Sequence, residues 1–125
     1  MNPTARWLPV IACCLVLVFS CVPAFASRAP GPRERASITE AGSRTPHAGH
    51  STVTVRNIRV STVGPWASAT VVIYVGNSPD SAVAIFHYVH RRWRFATVGT
   101  AGEWCVMPPK DRRDLAFPAS YPCHH

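Results

Sequence analysis

Apolar and polar residues alternate along the middle of the chain in the manner of antiparallel strands. Residues 52–63 are rich in β-branched side chains and predict the first strand. Its apolar alternation slips by one position midway, at Val53, Val55, Ile58 and Val60. One extra residue near Arg56-Asn57 would produce this slip, so we expect a β-bulge there.

The strand predicted over residues 66–75 alternates without interruption after the Gly64-Pro65 turn. Small apolar residues fill one of its faces, at Ala67, Ala69, Val71, Ile73 and Val75. We expect this face to lie against a helix or another layer, and the mixed opposite face to be partly wet. The Gly-, Asn-, Ser- and Pro-rich stretch at residues 76–81 then predicts a turn.

The third and fourth strands are predicted over residues 82–90 and 93–99. The third is apolar on both faces, which predicts a central strand. Arg91-Arg92 is expected to form the tight reversal between them, although it lacks the Gly or Asn that two-residue hairpins prefer.

The C-terminal part predicts a loop over residues 100–107 and a short helical segment over residues 108–115, with proline tolerated in its first turn. Cys105 and Cys123 are expected to form one disulfide, worth roughly 3 kcal/mol in the chain-entropy model. We therefore expect an α+β fold with a small curved antiparallel sheet of about four strands, a short C-terminal helical segment and one disulfide. A small all-β half-barrel is the alternative, and the strand order stays open.

The N-terminus has the layout of a secretory signal. Arg6 precedes an apolar run over residues 7–22, and small residues follow at Ala24 and Ala26. These small residues fit the −3 and −1 positions of a signal-peptidase site, so we expect cleavage between Ala26 and Ser27.

Two alternatives to cleavage and release stay open. The segment Val18-Phe19-Ser20-Cys21 is a poor version of a lipoprotein box, and lipidation at Cys21 would tether the protein to the outer face of the membrane. An uncleaved membrane anchor is the second alternative, but the run between Pro9 and Pro23 is shorter than the roughly 20 residues of a spanning helix.

Three parts of the chain follow from these patterns. Residues 1–26 are the predicted signal peptide, and residues 52–125 form a small exported β-rich domain. Residues 27–51 have no apolar period and no aromatic residue, so we expect a disordered tether. His47 and His50 lie in this tether and are expected to be solvated, because a closed zinc site needs four ligands in fixed geometry.

The charge of the chain is compatible with a preference for anionic partners, but its excess of Arg over Lys is first of all typical of a GC-rich genome. Thirteen residues are Lys or Arg and six are Asp or Glu, which gives a net charge of +7. Arg91, Arg92 and Arg94 cluster around Trp93, and basic residues interleaved with an aromatic ring can bind polyanions. Trp104 lies in a predicted loop, so it is the tryptophan we expect to stand apart from the core and a further candidate binding residue.

Catalytic chemistry has little support in the sequence. No nucleophile elbow, phosphate loop or zinc spacing occurs. Asp111 and Asp114 are expected to form surface pairs with the neighbouring Arg112 and Arg113. His87 and His90 are an odd number of positions apart in one strand and should face opposite ways. No catalytic residue, metal site or cofactor is expected.

The spacing of several short motifs resembles a loose group of small exported proteins from high-GC Gram-positive bacteria. The motifs, between residues 53 and 123, are Val60-Ser61, Pro65-Trp66-Ala67-x-Ala69, Trp93-x-Phe95, Val98-Gly99, Cys105, Arg113-x-Leu115 and Cys123. The resemblance implies an exported β-rich domain with a disulfide, and it implies no activity. The group often has Asp-Gly-x-Trp before the second tryptophan, whereas this chain has His90-Arg91-Arg92-Trp93.

We therefore expect a non-enzymatic binding or interaction domain that is secreted or otherwise extracytoplasmic. Its expected partner is an anionic cell-envelope polymer or an acidic protein rather than nucleic acid. Contact with a membrane is expected only through the signal segment or lipidation at Cys21. A small envelope enzyme or a thiol-redox protein using Cys105 is the alternative.

Overall fold

Four antiparallel strands form one curved, open sheet in the computed structural model, which describes residues 27–44, 52–118 and 121–123. The strand order along the sheet is the order along the chain. The strands are β1 (Thr52–Val60), β2 (Trp66–Val75), β3 (Ser78–Val89) and β4 (Arg92–Gly99). The predictions on the signal segment and on His47 and His50 lie outside the described residues. The α+β prediction is confirmed, and the sheet is open rather than a half-barrel.

The predicted bulge in β1 is present. The register between β1 and β2 shifts between Arg56 and Arg59, and Asn57 takes a left-handed conformation with φ 54°. Asparagine tolerates this conformation better than most residues. The shift explains why Ile58 and Val60 are buried although the apolar positions before them are in the other phase.

The first hairpin turn lies within the predicted range but is shorter, and the second lies at a different position from the prediction. The first is the two-residue turn Gly76-Asn77, and β3 begins directly at Ser78 because pairing with β2 continues through Pro79. The second turn is His90-Arg91, one residue earlier than predicted. Both of its residues have positive φ, 52° and 64°, as in the type I′ turns that match strand twist.

A helix covers one face of the sheet and replaces part of the predicted tether. Helix α1 spans Pro32–Ser43, within the range expected to be disordered. Proline occupies its first turn, and Glu34 Oε1 accepts a hydrogen bond of 3.0 Å from the Gly31 N–H. Ile38 is fully buried in one core with Ala67, Ala69 and Val71, which confirms that this part of the small apolar face of β2 packs against another layer, whereas Val75 at its end is exposed.

The helix lies close to the sheet because Gly42 faces it. A Cβ atom at Gly42 would come within 2.7 Å of Val55 Cγ2 and 3.3 Å of the Phe86 ring. Real Cβ atoms essentially never approach another heavy atom to 2.7 Å, so only glycine fits here without movement. The residues buried in this first core are Ile38, Ile58, Val60, Ala67, Ala69, Val71, Ala84, Phe86 and Trp93.

The C-terminal segment covers the other face and forms a second core. It contains one 3₁₀ turn (Glu103–Val106) and helix α2 (Pro109–Asp114), followed by the Cys105–Cys123 disulfide. Both the predicted helical segment and the predicted disulfide are confirmed. The buried residues of this core are Ile85, Trp104, Met107 and Leu115.

The central position predicted for the third strand is confirmed in its middle. Ala84, Ile85 and Phe86 are consecutive and fully buried, because α1 covers one face of β3 and the C-terminal segment covers the other. Among the described residues, no helix is long and apolar enough to cross a membrane.

Candidate functional site

The arginine tip, defined as Arg91, Arg92 and Arg94, lies at the β3–β4 turn. All three residues are exposed. None of them forms a salt bridge with an acidic residue in the part of the chain that the structure describes. The turn that carries the tip is strained, since a left-handed conformation costs an L-residue roughly 1–2 kcal/mol.

Trp93 does not contribute an exposed ring to this tip. Its side chain points to the α1 face and is only 8% exposed. Its ring lies 5.2 Å from that of Tyr88, at an angle of 53°. Strand alternation places Trp93 and Arg94 on opposite faces of β4, so the ring shares no surface with Arg94, although Trp93 and Arg92 both line a pocket beside α1.

Trp104 is also part of a core, contrary to the expectation from its position in a loop. It is 9% exposed and belongs to the second core. Its ring stacks on Phe117 at 5.1 Å and meets the edge of Tyr121 at 5.2 Å. The 3₁₀ turn directs this side chain inward, and the sequence carries no apolar period in so short an element.

The aromatic neighbours of the tip are instead Trp66 and His87. In the register of the sheet, Trp66 pairs with His87, and His87 pairs with Arg94. The rings of Trp66 and His87 are stacked, with centroids 4.1 Å apart and an interplanar angle of 10°. Both side chains are half-buried. The sequence alone does not predict this row of Trp66, His87 and Arg94, because the row depends on the register of three strands.

Two of the six acidic residues are paired with arginines at the protein surface. Arg28 donates hydrogen bonds of 2.6 and 2.7 Å to Glu34, and Arg44 pairs with Glu40 at 2.6 Å. The hydrogen bonds from Arg28 lower the pKa of Glu34, and they raise that of Arg28. A lowered carboxyl pKa adds stability that is present above the unfolded-state pKa and is lost as pH falls through the folded-state value.

Three further carboxylates serve as internal hydrogen-bond acceptors. Ser61 Oγ donates to Asp111 Oδ1 at 2.9 Å, and the Thr62 N–H donates to Asp114 Oδ2 at 2.6 Å. Glu103 Oε1 accepts from the Ala101 N–H at 2.6 Å. Both aspartates are buried, which corrects the expectation that they form surface pairs with Arg112 and Arg113.

In the described ranges, only Asp80 remains as an exposed acidic side chain outside these contacts. The surface charge of the domain is therefore more one-sided than the composition indicates. Positive side chains dominate the surface because carboxylates are used within the fold.

The groups available for chemistry are few. No cluster of three or more His, Cys, Asp or Glu side chains in the residues that the structure describes could hold a metal ion. The sulfurs of Cys105 and Cys123 are joined to each other, so a thiol reaction would first require reduction of that bond.

Fold and surface together define a small, disulfide-linked α+β domain with an arginine-rich exterior. Comparison with protein-family models, with curated proteins and with solved structures found no match to this chain. The resemblance to small exported proteins of high-GC bacteria stays a prediction.

Proposed function

We propose that this protein is an exported, non-enzymatic binding domain whose arginine tip engages an anionic polymer of the cell envelope. The observation that carries the proposal is the internal use of the carboxylates. It leaves Arg91, Arg92 and Arg94 exposed without an acidic partner among the described residues. Three guanidinium groups at one end of a hairpin can each contact a phosphate or carboxylate of a repeating polymer.

Two features of the site support this proposal. The His90-Arg91 turn keeps two non-glycine residues at positive φ, and backbone strain of this kind clusters at functional sites. The stacked Trp66–His87 pair lies next to Arg94 across the sheet, so an apolar surface adjoins the charged one. A polymer with charged groups on a sugar or glycerol backbone presents both kinds of surface.

The tip is expected to govern a salt-dependent affinity for polyglycerol phosphate. On single-stranded nucleic acid each neutralised phosphate contributes roughly 0.7 to the slope of log affinity against log salt. Polyglycerol phosphate is less densely charged, so three arginines predict a slope no steeper than about −2, or a fall in affinity of at most roughly 15-fold between about 50 and 200 mM salt. Replacing Arg91, Arg92 and Arg94 with alanine should weaken binding at least about tenfold and flatten the slope.

The matched control removes the same number of charges elsewhere. Arg33, Arg35 and Arg56 are exposed on α1 and β1, and their triple alanine variant should keep most of the affinity and nearly the full slope. Equal losses in the two variants would show that only net charge matters, and the tip would then not be the site. An affinity for polyglycerol phosphate that does not change with salt concentration would contradict the proposal as a whole.

Export with cleavage before Ser27 is part of the same proposal. Ser27 donates its N–H to the Asp114 carbonyl at 3.2 Å, and its Oγ accepts a hydrogen bond of 2.9 Å from Arg59. A cut before Ser27 leaves both contacts in place. The disulfide is further support, because disulfides persist in oxidising compartments.

We expect the intact mass of protein collected from the culture medium to correspond to a chain that begins at Ser27. A chain that begins at Cys21 and carries extra lipid mass would contradict release and establish a lipoprotein. A mass that retains residues 1–26 would instead establish an uncleaved anchor.

A further inference from the structure

A cleft lies between α2 and three residues that follow it, Phe117, Tyr121 and Cys123, the last of which is held by the disulfide. Its volume is about 370 Å³. Arg112 and Arg113 border it on the helix side, and Phe117, Tyr121 and Cys123 border it on the other. This volume is within the range of roughly 300–1,000 Å³ that is usual for small-molecule sites. The cleft shares no residue with the arginine tip.

The positive charge of the cleft follows from the placement of acidic and basic side chains on different sides of α2. Asp111 and Asp114 are three positions apart, so they share one side of the helix and bind Ser61 and Thr62 of the β1–β2 loop. The two arginines between them are left to border the cleft. No acidic side chain of the described ranges lines it or pairs with these arginines.

The aromatic wall of the cleft is held in place from behind. Phe117 stacks on the buried Trp104 ring, and Tyr121 meets the same ring edge-on. Cys105, next to Trp104, is bonded to Cys123, so both ends of the wall are tied to the second core. A wall fixed in this way loses little conformational entropy when a ligand binds.

We propose that this cleft binds a small phosphomonoester that carries a ring. The two guanidinium groups supply paired donors for the phosphate oxygens. The faces of Phe117 and Tyr121 supply apolar contact for the ring. The cleft is sized for a single phosphorylated unit, which is either a free molecule or the phosphorylated end of a polymer.

Calorimetric titration of the oxidised protein with phenyl phosphate tests this site directly. We expect saturable binding with a dissociation constant in roughly the millimolar range, as the ligand-efficiency limits for so small a molecule allow. Inorganic phosphate should bind more weakly, and phenol should not bind detectably. Absence of saturation up to about 20 mM phenyl phosphate would overturn the proposal.

Paired variants locate the binding within the protein. Arg112→Ala/Arg113→Ala should weaken phenyl phosphate binding at least about tenfold, and Tyr121→Ala should weaken it while leaving inorganic phosphate unaffected. The charge-matched control Arg33→Ala/Arg35→Ala should stay within about twofold of the parent protein. Equal weakening in the two arginine pairs would overturn the site.

Two further arms complete the test. The variant Arg112→Lys/Arg113→Lys serves if the double alanine variant does not fold. It keeps both positive charges but loses the paired hydrogen-bond donors of arginine, so unchanged phenyl phosphate binding in this variant would also overturn the proposal. The triple alanine variant of the arginine tip should bind phenyl phosphate normally, which separates this site from the proposed polymer site. Competition by a polymer with a terminal phosphate, and not by one with a blocked end, would identify a polymer end as the source.

Discussion

Replacing Gly64 with alanine should destabilise the domain by roughly 3 kcal/mol, the largest effect expected of any single methyl group here. A Cβ atom at this position would overlap Asp111 Oδ1 and lie 2.8 Å from the Cγ atom of the same residue. Asp111 is fully buried and bound to Ser61, so its carboxylate can move only by giving up that hydrogen bond. The added methyl group therefore forces either a clash or the loss of the hydrogen bond from Ser61 to this buried carboxyl group.

Urea unfolding monitored by tryptophan fluorescence measures this effect. Gly31→Ala is the matched control, because a Cβ there meets only Glu34 Oε1, at 3.6 Å, and we expect only the smaller cost, up to about 1 kcal/mol, of replacing glycine at the N-cap of α1. A double-mutant cycle with Asp111→Ala isolates the steric part. In the Asp111→Ala protein, Gly64→Ala should lower the free energy of unfolding clearly less than in the parent protein. An equal decrease in both proteins would show that the Asp111 carboxylate does not clash with the added methyl group.

The second large effect is expected at Ile38, which tests whether α1 belongs to the folded domain. Its side chain is fully buried in the first core, and truncating a buried isoleucine to alanine typically costs about 2–5 kcal/mol. Native domains are stable by only roughly 5–15 kcal/mol, so Ile38→Ala should unfold at a much lower urea concentration.

Thr39 provides the control within the same helix. It is exposed, and Thr39→Ala should change the free energy of unfolding by no more than about 0.5 kcal/mol. If the two variants unfold at the same urea concentration, residues 32–43 do not pack on the sheet in solution. The segment would then act as the tether that its composition predicts.

The sheet could be predicted because its signals are local. β-Branched and aromatic residues mark the strands, and the slip in apolar phase near Asn57 marks the bulge. The disulfide was predicted by counting the cysteines outside the predicted signal segment. None of these inferences requires knowing which strands are neighbours.

Helix α1 could not be predicted because its stability comes from tertiary contacts. Ile38 is its only large apolar residue, so no helical period of apolar positions exists. What fixes the helix to the sheet is one isoleucine together with the close approach at Gly42. Neither residue by itself distinguishes a packed helix from a polar linker.

The candidate site was only partly predictable for a related reason. The arginines of the tip are adjacent in sequence, but their relation to Trp66 and His87 exists only in the paired sheet. Asp111 and Asp114 stand beside arginines in sequence, which favours a surface-pair interpretation. Their hydrogen bonds to residues some fifty positions away, at Ser61 and Thr62, redirect both carboxylates inward.

The sequential order of the strands has a consequence for how the chain reaches this structure. Every strand pairs with its neighbour in sequence, so the sheet can grow by successive hairpins, each closing only a short loop. Such sequence-local pairing favours rapid folding compared with sheets assembled from distant strands. Both cysteines of the disulfide, 18 positions apart, follow all four strands in the chain, so the bond can close one face of a sheet whose strands have already paired.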